Sequence, residues 1–301
     1  MKYIENWLSN LDELLPEETG VEARLKKLDG VKALIFDIYG TLLISSSGDI
    51  DKADFLASNL REAITGSGLA FAQMDATAQE EVLALLLDKF MNIVNAHQDE
   101  GRKSGIPYPE IDIRKVWEDL LAFADKEKLL HRQKDFDALT LTFIFELLSN
   151  RVWPMPGMKE IIEYFHKQGY PLGIVSNAQF YTPVMMNYFL TRTTKMEETI
   201  KYFDPELTVF SYKLRRSKPD PGIFDPMLAG LKSKYGIEAG QAAFIGNDML
   251  KDIYPAAQRG MKTVFFAGDK RSLRLRKDKA EVKGLMPDVV ITELKQLKQI
   301  F

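Results

Sequence analysis

The sequence contains no cysteine, which excludes disulfides, thiolate nucleophiles, zinc ribbons and iron–sulfur ligation together. Histidine is scarce. His97, His131 and His166 each stand alone in a helical stretch, without the partner spacing of a metal site or a catalytic triad. An excess of one charge is also lacking: 40 basic against 43 acidic side chains leave a net −3, so neither nucleic acid nor an anionic membrane is an expected partner. No run approaches the ~18 apolar residues of a membrane span. The first residues, MKYIENWLSNLDELLPEE, lack the basic and apolar regions of a secretory signal. A soluble, cytoplasmic protein is expected. What is present is a chain of 301 residues, 46% of them hydrophobic, about twice the ~150 residues that serve as a prior for one domain. Two units are expected.

Two textures alternate along the chain. Short β-branched or aromatic runs end in Gly, Asn, Asp or Ser: ALIFDIYG from Ala33, LGIVSN from Leu172, LTVFSY from Leu207, AAFIGND from Ala242, TVFFAG from Thr263 and DVVI from Asp288. Continuous apolar runs of this kind suit strands of a parallel sheet covered on both faces. Helical stretches such as GMKEIIEYFHKQG lie between most of them, so the order predicts a doubly wound, mostly parallel α/β domain. From 45 to 150 the strand texture gives way to helical periodicity over 78–96, over 113–123 and over 136–148, the last apolar on most sides. An all-helical unit inserted after the first strand is expected. Its exits are the SSSGD turn at 45–49 and the Pro154–Pro156–Gly157 cluster. Residues 1–44 and 151–301 then form the α/β core, with 1–30 as an amphipathic helical extension.

The chemistry concentrates at strand ends. An apolar strand delivers Asp37 at its carboxyl end, followed by Gly40 and Thr41, and such ends are where open α/β sheets bind ligands. An Asp before a turn also suits a helix cap. Three further features fall where the same sheet edge would collect them: Ser176–Asn177, Lys218 in a Lys-Pro-Asp-Pro context, and Gly246–Asn247–Asp248 with Asp252 one helical turn on.

In this order the four motifs resemble the haloacid dehalogenase superfamily of hydrolases over residues 31–295. The resemblance implies a Rossmann-like core with a helical cap and a covalent intermediate on Asp37. A nucleophilic carboxylate splits one hard displacement into two easier ones. Thr41 and Ser176 would bind oxygens of the transferred group or, for Thr41, cap a helix. Asn177 suits the dehalogenase branch, and Lys218 would keep Asp37 ionised. Asp37, the backbone carbonyl at Tyr39, Asn247 or Asp248, and Asp252 would supply oxygens for Mg2+. Such an ion offsets the repulsion between a carboxylate and a phosphate dianion.

Two positions depart from the family's phosphatases. Tyr39 stands where they carry a second Asp as general acid and base, and a phenol titrating near ~10 is a poor base at neutral pH. Asn247 replaces the first Asp of a common fourth motif. The Asp-x-Tyr-Gly-Thr form instead resembles 2-haloacid dehalogenases, but their serine-rich fourth motif is absent, and Arg61, the nearest candidate for their cap arginine, reads as a surface residue. Lys52 lies too close to Asp37 to match the Schiff-base lysine of the phosphonate-cleaving branch. The basic run Lys270–Lys279 reads as a solvated face. The expected activity is Mg2+-dependent hydrolysis of a small phosphorylated metabolite. Its alternatives are metal-independent dehalogenation of a 2-haloacid, or a binding or regulatory protein that has lost turnover.

Overall fold

All six apolar runs become strands in the computed structural model, which describes residues 4–47, 55–195, 197 and 199–301. They are β1 (Ala33–Phe36), β2 (Leu172–Ser176), β3 (Thr208–Phe210), β4 (Ala242–Gly246), β5 (Lys262–Phe266) and β6 (Val289–Ile291). Every neighbouring pair is parallel, in the order β6–β5–β4–β1–β2–β3. That is the doubly wound order, in which the chain reverses direction about β1 and opens a crevice at the carboxyl ends of the strands flanking it. β1, β2 and β4 are buried along their whole length, which is why their sequences run apolar without alternation.

The helix Asp225–Tyr235 covers one face of this sheet. Ile35, Val175 and Phe244 meet Phe224, Met227 and Leu231 there, all buried. Met158–Lys167 packs on β2 and on the C-terminal turn Leu294–Gln299. A two-stranded antiparallel ribbon joins Leu43–Ser45 to Val152–Pro154, so the chain leaves and re-enters the α/β unit through adjacent segments.

The contacts divide the chain into two units, Met1–Leu11 with Ala53–Arg151, and Asp12–Lys52 with Val152–Phe301. The first is built on the helices Ala57–Gly66, Ala76–Lys103, Ile113–Lys126 and Ala138–Ser149. Asp75, Asp112 and Asp137 cap the last three by accepting backbone N–H groups, satisfying donors that a helix start leaves orphaned. Ala138–Ser149 is buried almost throughout, and its Phe145 packs against Phe55, Phe90 and Trp117.

Three expectations change. The inserted unit is not wholly helical, because Leu69–Phe71 and Leu130–Arg132 pair as a short antiparallel ribbon; three-residue strands are too short to leave a periodicity. Of residues 1–30, the described ones are helical only over Ile4–Ser9, which packs on Ala138–Ser149. Beyond it the chain is an irregular strap on the α/β unit: Thr19 Oγ1 donates to the Ala267 carbonyl at 2.9 Å and Arg24 N to the Val290 carbonyl at 2.8 Å. Its backbone groups are satisfied by the sheet's β6 side instead of by a helix. The basic run 270–279 is solvated only in part: Lys270, Lys277 and Lys279 are exposed, whereas Arg271 and Arg276 turn to the carboxylates of Asp269 and Asp248. Gly48 and Asp49 of the expected exit turn, and Lys52, lie outside the described residues. Among the described residues no helix is long and apolar enough to cross a membrane.

Phe224 is fully buried, with its ring edge-on to Phe244 at 5.0 Å. Phe224→Ala should therefore lower unfolding free energy by about 3–5 kcal/mol, read from the denaturant midpoint. A loss under about 1 kcal/mol would show that this face of the sheet tolerates a cavity.

Candidate active site

Register brings the motifs together before any side chain is considered. Phe36 lies level with Ile174 of β2 and Ile245 of β4. Asp37 continues the pairing by donating its N–H to the Ile245 carbonyl at 2.9 Å. Ser176 and Gly246 close the two flanking strands, so Asp37, Ser176 and Asn247 emerge from three adjacent strands at one edge.

Lys218 reaches this edge from the loop after Ser211–Leu214. Its buried ammonium donates to Asp37 Oδ1 at 2.7 Å and to Asp252 Oδ1 at 2.6 Å, with the Phe244 ring 5.5 Å away as a cation–π neighbour. Ser176 Oγ donates to the same Asp37 Oδ1 at 2.9 Å. Both donors thus converge on Oδ1, and Oδ2 receives no hydrogen bond from the described residues. Burial by itself lowers the Lys218 pKa. The Asp252 and Asp37 carboxylates outweigh it and hold the ammonium above the ordinary lysine range. Burial, with repulsion from Asp37 and Asp248, pushes the Asp252 carboxyl up to about 7 against the pull of Lys218.

Asn177 does not reach Asp37. Its Oδ1 accepts the Lys218 N–H at 2.8 Å and its Nδ2 donates to the Lys218 carbonyl at 3.2 Å, so it grips the backbone that carries the ammonium. Thr41 Oγ1 donates to Asn247 Oδ1 at 3.1 Å, and Asn247 Nδ2 donates to the Ser272 carbonyl at 2.6 Å. Both ends of that amide are used. Gly40 makes room for it: a Cβ there would lie 2.5 Å from Asn247 Nδ2, and φ is +83°, a conformation glycine adopts without penalty. Gly246 does the same for Asp252, whose carboxylate lies 2.5 Å from where a Cβ would stand. The Tyr39 hydroxyl pairs with Thr182 Oγ1 at 2.8 Å.

Asp248 turns to other partners. It caps the turn Met249–Ile253 by accepting from Leu250 N and Lys251 N at 2.8 and 3.0 Å. Its N–H donates to Asp252 Oδ2 at 2.9 Å. Arg276 forks onto the carboxylate, with Nη2 donating to Oδ2 at 2.6 Å and Nε lying 3.2 and 3.1 Å from the two oxygens. The donor set expected for Mg2+ is therefore not assembled. Asn247 offers an amide already bonded at both ends, Asp248 is committed to Arg276, and Asp252 to Lys218. Among the described residues no group of three His, Cys, Asp or Glu is disposed to hold a metal ion. These residues do not fit Mg2+.

Of the residues expected from sequence, Asp37, Ser176, Lys218 and Asp252 form one connected cluster, with Asp248 tied to it through its N–H. Asn177 and Thr41 support it. Arg276 and Ser272 were missed; both come from the basic stretch after β5, and the single usable signal was a dense basic segment downstream of an acidic motif. Arg61 pairs with Glu80 and Gln79, and His97 with Asp119.

A family model described as haloacid dehalogenase-like hydrolase matches residues 31–260. No curated protein matches the chain in sequence. A solved 2-haloacid dehalogenase from Pseudomonas syringae pv. Tomato is 18% identical, with 89% of this chain and 97% of that one covered, at a TM-score of 0.55. A phosphatase of the same superfamily from Thermococcus onnurineus is 20% identical over 89% and 97% at 0.49. The L-2-haloacid dehalogenase from Xanthobacter autotrophicus is 18% identical over 89% and 97% at 0.44. At these identities the first likeness shows the fold.

Asp252 gives the site a measurable pH response. Its carboxyl is raised from 3.8 to about 7, so the native chain keeps a proton that the unfolded chain has released. The stability that proton contributes is complete below about pH 4 and is lost as pH rises to about 7. Between about pH 5 and pH 8 the unfolding midpoint of the wild type should fall further than that of Asp252→Asn. Equal falls would refute the raised carboxyl.

Proposed function

The chain belongs to the haloacid dehalogenase-like hydrolases, and from that premise we propose that it displaces halide from a small 2-haloacid through a covalent ester on Asp37, without a metal ion. The observation that carries this reading is the asymmetry of the Asp37 carboxylate: Oδ1 is held by Ser176 and Lys218, and Oδ2 takes no hydrogen bond from the described residues. Oδ2 attacks the carbon bearing the halogen, forming a C–O bond as the carbon–halogen bond breaks and halide leaves with the electron pair. Water then adds to Cγ of the ester. The oxyanion that develops is Oδ1, where two donors already stand at 2.9 and 2.7 Å, preorganised as an oxyanion site should be. Collapse breaks the Cγ–Oδ2 bond, releases the 2-hydroxyacid, returns Asp37 with an oxygen from water, and leaves two protons from that water for the product hydroxyl and the solvent.

Charge supports the same substrate class. The connected cluster holds the carboxyl groups of Asp37, Asp248 and Asp252 against the cations of Lys218 and Arg276, which leaves no positive excess to receive a phosphate dianion. A reacting carbon bearing halogen meets no such repulsion.

A second reading, Mg2+-dependent hydrolysis of a phosphomonoester, draws on the grouping of Asp37, Asp248 and Asp252 near Lys218. It requires Asp248 to leave Arg276 and a base other than Tyr39. The two differ in where water attacks. With 2-chloropropionate in heavy-oxygen water, the Asp37 peptide should gain label by mass spectrometry and chloride should appear equally with Mg2+ and with chelator, while Asp37→Asn releases none. Label confined to phosphate, with release abolished by chelator on a phosphate-ester panel, would establish the second reading. No product from either panel would favour a binding role.

A further inference from the structure

Even with Asp252 keeping its proton below about pH 7, burying Asp37 and Asp248 beside one ammonium leaves a net negative charge that the low-dielectric interior cannot hold uncompensated. Asp37, Asp248 and Asp252 are each under a tenth exposed, as is Lys218. Among the described residues Lys218 serves Asp37 and Asp252 and does not bond to Asp248. The cation at Asp248 is Arg276, and the surrounding loop is shaped to bring it there. Met249 N donates to the Arg274 carbonyl at 2.9 Å and Arg274 N to the Asn247 carbonyl at 3.2 Å, so the stretch after β5 lies alongside the exit of β4 as a one-residue parallel bridge. Arg276 itself stands at φ +49°, a left-handed conformation that a side-chain-bearing residue seldom adopts. From there its guanidinium closes over Asp248 from the solvent side, with a quarter of its side chain exposed against 7% for the carboxylate.

We propose that Arg276 is a resident cation of this site, a positioning residue that occupies the charge role of a divalent ion by forking onto Asp248. The inference rests on the metal-independent reading above and extends it to a residue. Three features separate it from an ordinary surface pair. The fork uses two guanidinium nitrogens on both carboxylate oxygens, the geometry that favours arginine over lysine. The carboxylate is buried, so solvent does not screen it as it would an exposed pair. Asp248 is also fixed by Leu250 N and Lys251 N and linked through its own N–H to Asp252, so its orientation bears directly on the partner of Lys218.

The test reads ion binding without substrate, which keeps its outcome separate from that of the halide assay. Full-length protein, freed of divalent ions with chelator, is melted with and without millimolar Mg2+, and binding is measured by calorimetric titration of Mg2+ alone. Wild type should show no shift and no binding. Arg276→Gln should melt lower without the ion, recover on adding Mg2+, and bind it measurably; a merely structural contact predicts the loss without the recovery. Arg276→Lys keeps a cation and should ignore Mg2+ as wild type does, which keeps the test open where the glutamine variant does not fold. A Mg2+ response in wild type or in Arg276→Lys equal to that of Arg276→Gln, or none in a folded Arg276→Gln, overturns the proposal.

Discussion

The ammonium of Lys218 between Asp37 and Asp252 is the contact on which the rest of the α/β unit's edge depends. A cation buried this completely is costly to desolvate, and it persists only because two carboxylates meet it at 2.7 and 2.6 Å. Each neighbour serves that arrangement. Asn177 fixes the Lys218 backbone from both sides, and Phe244 presents a ring face to the ammonium. Gly246 vacates the space into which the Asp252 carboxylate folds back. Removing one charged partner strands the others in a medium that cannot solvate them, a loss of about 3–5 kcal/mol for buried pairs in general.

The same contact divides the two oxygens of Asp37 into different roles. Oδ1 is the atom on which lysine and serine converge, so negative charge appearing there is met by donors already in place. Oδ2 takes no hydrogen bond from the described residues and is the atom that the proposed reaction uses. This division follows from sheet register: Ser176 comes from the neighbouring strand, one position beyond the level of Asp37, and Lys218 from a loop pinned to the residue after it. A carboxylate whose described donors all meet one oxygen is therefore a consequence of the parallel order β4–β1–β2.

Much of this was legible in the sequence, and the reasons for success and failure are physical. Parallel strands buried on both faces read as continuous apolar runs, so all six were visible, and the residues ending them had to share one edge. The helical unit was visible through its periodicity, with Asp137 before the central helix acting as its cap. What was not visible was commitment. Asn247 and Asp248 are acceptable oxygen ligands by type, but Thr41 and Ser272 use both ends of the amide and Arg276 takes the carboxylate. Those partners lie 25 to 206 residues away, and no local spacing encodes them. The strap beyond Leu11 failed for a different reason, since its bonding partners, Ala267 and Val290, lie at the far end of the chain and no local spacing announces them.

That strap changes how the motif after β4 should be understood. Glu17 N donates to Asp269 Oδ1 at 3.0 Å and the Glu17 carbonyl accepts from Lys270 N at 2.9 Å, while Arg271 pairs with Asp269. Asp269 is almost wholly buried, so these bonds fix the start of the loop that goes on to present the Ser272 carbonyl to Asn247 and the Arg276 guanidinium to Asp248. The support for the acidic motif thus runs from the amino-terminal strap, through Asp269, to Arg276. Segments far apart in sequence converge because a parallel sheet leaves its reactive edge made of loops, and loops keep a fixed geometry only when something outside them holds their backbone. Here the chain supplies that hold from residues that precede the first strand.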